Sequence, residues 1–240
     1  MDLAHFQPRP RFVRYLANYL ALFAGTIAGK LTITGRRQLP DSGSYILAAN
    51  HFSILDPALV LCAVQKPVNF LMASDQEVES HFIWAPWIYG YIPTDRQHPA
   101  PSTIKRSLTV LRKGEILGIF PEGYTQDTKL RPAKRGALFL AHTANVPIVP
   151  VGIEGAEMIF SNWNRGQRPR LCVRIGKPYH LPPFAGNREE RTRWLRRQGE
   201  DLMLRIAGLL PDRYHGQCAG RPEIKGYRSE NCWKVPPAGR

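Results

Sequence analysis

From Gly35 onward the chain alternates short apolar runs with stretches of helical character. Tyr45–Ala49, Val68–Met72, Ile116–Phe120, Ile148–Ile153 and Leu171–Ile175 are each five or six residues long and mostly apolar, as strands covered on both faces would be. Ala58–Gln65, Ser102–Lys113 and Ala133–Ala144 fall between them as candidate helices. Strands alternating with helices predict an α/β fold, with a mixed, largely parallel sheet flanked by helices. A longer helix reads from Asn187 to Leu209. There Glu189 and Arg193 stand at i,i+4, and Trp194, Leu195, Leu202 and Ile206 supply an apolar side.

The two ends differ from this rhythm. Residues 9–33 begin with Arg9, Arg11 and Arg14 and run on from Tyr15 to Gly29 as aliphatics and aromatics, interrupted by Asn18. A spanning helix wants ~20 apolar residues, and this stretch is too short. It predicts an interfacial helix, with arginines on lipid head groups and aromatics in the boundary layer; a helix packed on its own domain is the alternative. Beyond Pro211 the chain is rich in Pro, Gly and Arg with few aliphatics, which predicts a poorly ordered tail. The expected divisions are an N-terminal membrane-interfacial helical element over 1–34, a main domain over 35–183, a C-terminal basic helix over 184–210 and a disordered tail over 211–240.

Composition changes this picture in one respect. Hydrophobic content of 43% and charged content of 22% are globular values, but the formal net charge is +14. Such an excess calls for an anionic partner: nucleic acid, a membrane surface or a phosphorylated substrate. No recognition-helix motif and no aromatic-interleaved RNA signature is present, so nucleic acid is not expected. Cys62, Cys172, Cys218 and Cys232 form no CxxC and no metal-ligand spacing with histidine. Neither a metal nor a disulfide framework is indicated, and a cytosol-facing location fits.

Polar chemistry sits at the ends of the apolar runs, where open α/β sheets place their sites. Tyr45–Ala49 runs into Asn50-His51, with Asp56-Pro57 shortly after. An unbroken helix would set His51 and Asp56 about 140° apart. Pro57 suits a first helical turn and makes Asp56 a natural N-cap, so a loop over 52–55 can fold back and join carboxylate to imidazole. Such a carboxylate fixes the tautomer and raises the basicity of the other ring nitrogen. A helix cap beside a satisfied histidine is the plainer reading of His-x4-Asp alone. Ile116–Phe120 likewise ends in Pro121-Glu122-Gly123, a sharp turn whose glycine permits a positive φ and whose amides can cradle an anion. Arg96 in Ile92-Pro93-Thr94-Asp95-Arg96 offers a planar fork for phosphate, or pairs with Asp95. Val146-Pro147-Ile148-Val149-Pro150 reads as a buried strand whose prolines suggest a sheet end or edge.

Together and in this order, these four stretches resemble the lysophosphatidate acyltransferase family, the PlsC-like glycerolipid acyltransferases, over about Gly35 to Gly155. Asn50-His51-x4-Asp56 resembles the family's catalytic motif; Ile92-x-x-Asp95-Arg96, Phe120-Pro121-Glu122-Gly123 and Val146–Pro150 resemble its other three blocks. The resemblance implies acyl transfer from acyl-CoA or an acyl carrier protein to the hydroxyl of a lysolipid, on the cytoplasmic face of a membrane containing anionic lipids. His51 and Asp56 would be catalytic; Asn50, Arg96, Glu122 and Gly123 would bind the acceptor; no cofactor or metal is implied. Two departures bear on the acceptor. The third block usually continues Glu-Gly-Thr-Arg, whereas here Tyr124-Thr125 follow Gly123. Ala73-Ser74-Asp75 stand where a lysine is frequent. The acceptor is therefore 1-acylglycerol-3-phosphate or another lipid hydroxyl, such as a lyso-ornithine lipid.

Overall fold

A computed structural model of the chain describes residues 8–73, 88–94, 100–123 and 128–233. Among these, seven strands form one sheet: β1 (Lys30–Thr34), β2 (Ile46–Ala49), β3 (Val68–Ala73), β4 (Ile92–Thr94), β5 (Ile116–Ile119), β6 (Ile148–Glu154) and β7 (Arg170–Ile175). Their spatial order is β1-β7-β6-β2-β5-β3-β4. All neighbours are parallel except β6 and β7, which run antiparallel, so the mixed, largely parallel sheet matches the sequence reading. The edges are β1 and β4, neither of which the apolar pattern predicts. Lys30–Thr34 continues an apolar stretch that reads as helical, and Ile92-Pro93-Thr94 carries a proline that an edge strand tolerates. β6 is interior rather than an edge: Pro150 precedes the start of its pairing with β7 at Val151.

The core lies on both faces of β2, whose four residues are all buried. Ile46 and Ala48 pack with Leu117 and Ile148 beneath helices α3 (Pro101–Arg112), α4 (Gly136–Ala144) and α6 (Arg188–Gly208). Leu47 and Ala49 face the other way and pack with Val149, Val173 and α2 (Asp56–Val64), against which α1 (Arg11–Ala28) lies. The short helix α5 (Ile159–Asn164) follows β6.

Three boundary expectations are corrected. β1 pairs with β7, so residues 30–34 belong to the main sheet. α6 is capped by Asn187, with Glu190 reaching back to the Asn187 amide. It buries Leu202, Met203 and Ile206 in the same core, while Arg193, Arg196 and Arg197 stay exposed. The segment after Pro211 is not a disordered tail through residue 233. It forms α7 (Glu223–Glu230) and inserts Tyr214, Cys218 and Ile224 into the core. Arg205 lies between the rings of Tyr179 and Tyr227, 4.0 and 4.5 Å from their centroids. Few aliphatics suffice because Ile224 is buried, Arg213 stacks on Tyr214, and Arg228 bonds the Leu210 carbonyl. Residues 234–240 lie outside the described residues.

α1 inverts the expected orientation of its polar residues. Arg14 is 3% exposed and donates to the Val68 carbonyl (3.1 Å) and to Asn69 Oδ1 (3.3 Å). Asn18 is also buried and accepts from the Tyr89 hydroxyl (2.6 Å). Arg14 therefore does not reach lipid head groups. Phe12, Leu16, Tyr19, Leu20, Phe23 and Ile27 are all exposed instead, on an arc of about 100°.

Candidate active site

The site forms where β2 and β5 end. Asn50, directly after β2, is fully buried; its amide donates to the Ile153 carbonyl (2.8 Å) and accepts from the Ile153 N–H (2.7 Å). The side chain thus extends the β2–β6 ladder by one rung. Both functions of its amide are bonded to the Ile153 backbone, so Asn50 holds the strand end.

His51 follows. After it the chain turns over 52–55, and Asp56 becomes the first residue of α2 rather than its N-cap, with Pro57 at the second position. The carboxylate points back into its own turn. Its Oδ2 accepts from the amides of Phe52 and Ser53 (both 2.7 Å) and lies 3.0 Å from His51 Nδ1. Burial pushes the Asp56 carboxyl up from the usual carboxylate range, while His51 and then the Ser53 and Phe52 amides pull it back. With Nδ1–H directed at the carboxylate, Nε2 carries the lone pair. The imidazole stacks on Phe120, with centroids 4.1 Å apart, and remains partly exposed. The dyad can take a proton from a hydroxyl brought to that open side.

Glu122 fixes the other flank. It is buried, and its two oxygens accept from the His51 amide (3.1 Å) and the Arg131 amide (2.9 Å). It ties β5's turn to the dyad loop and holds the returning segment at 130–135. Gly123 adopts φ +74, and a Cβ there would lie 2.9–3.1 Å from Lys134 Cε, Nζ and Cδ. The bare α-carbon thus lets the Lys134 side chain run across the turn. Lys134 belongs to a basic run that follows this turn, with Lys129, Arg131 and Arg135. Tyr214, whose ring stacks on Phe52 at 5.4 Å, carries no signal in the sequence. Arg96 lies outside the described residues, as do Asp95, Ser74, Asp75, Tyr124 and Thr125.

Burial raises the Glu122 carboxyl from 4.5 to about 7, opposed by the Arg131 and His51 amides. The folded chain then holds a proton that the unfolded chain releases, so stability should fall as pH rises from about 4.5 to about 7. The contribution is at most about 3 kcal/mol. Glu122→Gln should flatten that component at lower overall stability. Urea unfolding of both proteins across this range checks it; identical pH slopes would remove the titration from Glu122.

Comparison with known proteins gives the family and the fold. The family model described as Acyltransferase matches residues 30–154. A 1-acyl-sn-glycerol-3-phosphate acyltransferase of Bacillus subtilis is 28% identical over 174 residues, covering 72% of this chain and 84% of the relative. One from Streptococcus pneumoniae is 32% identical over 176 residues, covering 71% and 63%. A chloroplastic enzyme of that name from Arabidopsis thaliana is 29% identical over 182 residues, and the match spans about half of it, 51%. The crystal structure of the 1-acyl-sn-glycerophosphate acyltransferase PlsC from Thermotoga maritima superposes with a TM-score of 0.58 at 21% identity, over 79% of each chain, which shows a shared fold. A matched model that runs from β1 to the end of β6, and so encloses the whole dyad loop, places the chain in the acyltransferase family of enzymes.

Proposed function

We propose that this acyltransferase esterifies the free hydroxyl of a lysophospholipid, 1-acylglycerol-3-phosphate first among them, from acyl-CoA or acyl carrier protein. The observation that carries the reading is the His51–Asp56 contact of 3.0 Å, made inside one short loop with the other side of the ring open. His51 Nε2 takes the acceptor's hydroxyl proton as that oxygen attacks the thioester carbonyl. Asp56 stabilises the imidazolium, which returns the proton to the departing thiolate. The products are an ester and a free thiol. The names of the relatives support the phosphate-bearing acceptor, and two cations serve it: Arg96 from the second block and Lys134 beside Gly123. Tyr124-Thr125 in place of Thr-Arg keeps a different lipid hydroxyl, such as that of a lyso-ornithine lipid, as the second reading.

The outward apolar arc of α1 supports action at a membrane surface. Among the described residues no helix is long and apolar enough to cross a membrane. α1 lies in the interfacial plane with Phe23, 65% exposed, toward the acyl chains. The net charge of +14 suits anionic lipids and a polyanionic donor.

An acceptor panel tests the assignment. With thiol release followed, 1-acylglycerol-3-phosphate should be turned over faster than monoacylglycerol or lyso-ornithine lipid. Arg96→Lys keeps the charge but loses the fork. It should lower efficiency on the phosphate acceptor by roughly 10–150-fold and leave the uncharged one unaffected. Equal losses on both would make Arg96 structural, and preference for the lyso-ornithine lipid would establish the second reading.

A further inference from the structure

The fold brings a second apolar element to the edge of the sheet that carries the dyad. Because β7 runs antiparallel to β6, and β1 parallel to β7, the starts of β1 and β7 lie beside the ends of β6 and β2. The C-terminal end of α1 and the whole of α5 therefore sit on the same edge as His51. α5 leaves β6 directly, after Glu154, through a single turn over Ala156–Met158.

α5 buries only Ile159. Its other large apolar groups face outward: Phe160 is 52% exposed and Trp163 is 46% exposed, with Met158 beside them. The two rings pack edge to face, with centroids 6.0 Å apart. A six-residue helix that exposes its aromatics and buries one aliphatic gains little from its own domain. The cluster is nonetheless held in place. The Trp163 indole N–H donates to the Ala28 carbonyl at the end of α1 (2.8 Å), and Arg168 donates to the Gly29 carbonyl (3.1 Å). The outward arc of α1, ending at Ile27, thus continues across Trp163 to Phe160.

Glu157, ahead of the helix, is bonded to the Gly155 amide and the Tyr214 hydroxyl, and the charges that follow are of one sign. From Ile159 to Arg170 there is no Asp or Glu, while Arg165, Arg168 and Arg170 are exposed and Lys30 stands exposed beside Arg170 in the β1–β7 pair. An apolar centre with a cationic rim matches the boundary layer of an anionic bilayer: acyl chains at the centre, phosphates around it.

We propose that α5 is a second membrane footing, which sets the dyad edge of the sheet against the bilayer. This rests on the membrane-surface reading of α1 given above. One helix lying in the interface leaves the domain free to roll about that helix's axis. A second contact at its C-terminal end removes the roll. A lipid acceptor can then reach His51 without leaving the interface.

The test uses the full chain and vesicles of phosphatidylglycerol and phosphatidylcholine, with and without brominated acyl chains. Bromine should quench a part of the tryptophan emission that disappears in Trp163→Phe. Phe160→Asp, at an exposed site, should leave thermal unfolding unchanged and weaken vesicle partition about 10-fold, the scale of one large apolar side chain withdrawn from contact. Turnover of a vesicle-embedded acceptor should fall with it, and turnover of a soluble short-chain acceptor should not. If the protein binds vesicles but Trp163 contributes nothing to quenching and Phe160→Asp binds as the parent does, the footing is refuted and α1 stands alone. If Phe23→Asp binds normally while Phe160→Asp does not, the footing stands and the reading of α1 falls. A parent protein that fails to bind the vesicles refutes both.

Discussion

His51→Ala is expected to slow thiol release by about 10²–10⁴-fold while urea unfolding stays close to that of the parent. The ring lies partly exposed against Phe120, whereas the backbone contacts that shape its loop belong to Asp56 and Glu122. Near-normal turnover by a folded His51→Ala protein would refute general-base catalysis by this residue. Asp56→Asn should behave differently from the usual loss of the histidine tautomer. The Phe52 and Ser53 amides can only donate, so an asparagine would present its carbonyl oxygen to them and to Nδ1–H. The tautomer would be kept and the negative charge lost. A loss of about 10–100-fold is therefore expected, smaller than for His51→Ala, because only the stabilisation of the imidazolium is removed. A loss in Asp56→Asn as large as in His51→Ala would mean that the asparagine amide had flipped and reversed the tautomer.

The second large effect is expected at the membrane. Leu16→Asp combined with Phe23→Asp should weaken partition to anionic vesicles by about 10²–10⁴-fold, since each parent side chain contributes roughly 1.5–3 kcal/mol when fully withdrawn from water. Stability should hold, because both residues are exposed on the face of α1 opposite Arg14 and Asn18. Deleting residues 1–30 would be a poorer probe. It would remove Arg14 from the Val68 carbonyl and Asn18 from Tyr89, and so would damage the fold along with the attachment. Sedimentation of the double variant with vesicles to the same extent as the parent would locate attachment away from this arc.

What could be read in the sequence followed from local rules. β2, β5 and β6 were legible as apolar runs, and Pro57 announced a helix start close enough to His51 for the loop to close. α6 was legible from its i,i+4 pair and its apolar side, whereas its Asn187 cap was not read. The edge strands were not, because Lys30–Thr34 gains its pattern only from pairing with Arg170–Ile175. The inward turn of Arg14 and Asn18 was equally hidden: composition marks α1 as basic and apolar, but which arc meets the domain depends on a carbonyl at Val68 and a hydroxyl at Tyr89. Within the site the hydrogen bonds of two of the named residues were not legible. Asn50 and Glu122 read as ligands for an acceptor, and each has its polar atoms bonded to backbone at Ile153, His51 and Arg131. No local pattern reveals that a side chain will complete a distant strand.

The ring of Tyr214 behind Phe52 has a consequence for the order in which the site comes into being. Its backbone carbonyl accepts from the Leu130 amide (2.8 Å), and its hydroxyl donates to Glu157 (2.6 Å). One residue thereby ties together the dyad loop, the segment that Glu122 holds and the turn ahead of α5. During synthesis both dyad residues leave the ribosome more than 150 residues before this tie can form (56 to 214). α1, by contrast, precedes both dyad residues in the chain and carries its outward apolar arc within one helix. On the proposed membrane reading, a nascent chain can lie at the bilayer while its dyad loop still lacks the ring that backs it, so attachment comes before competence.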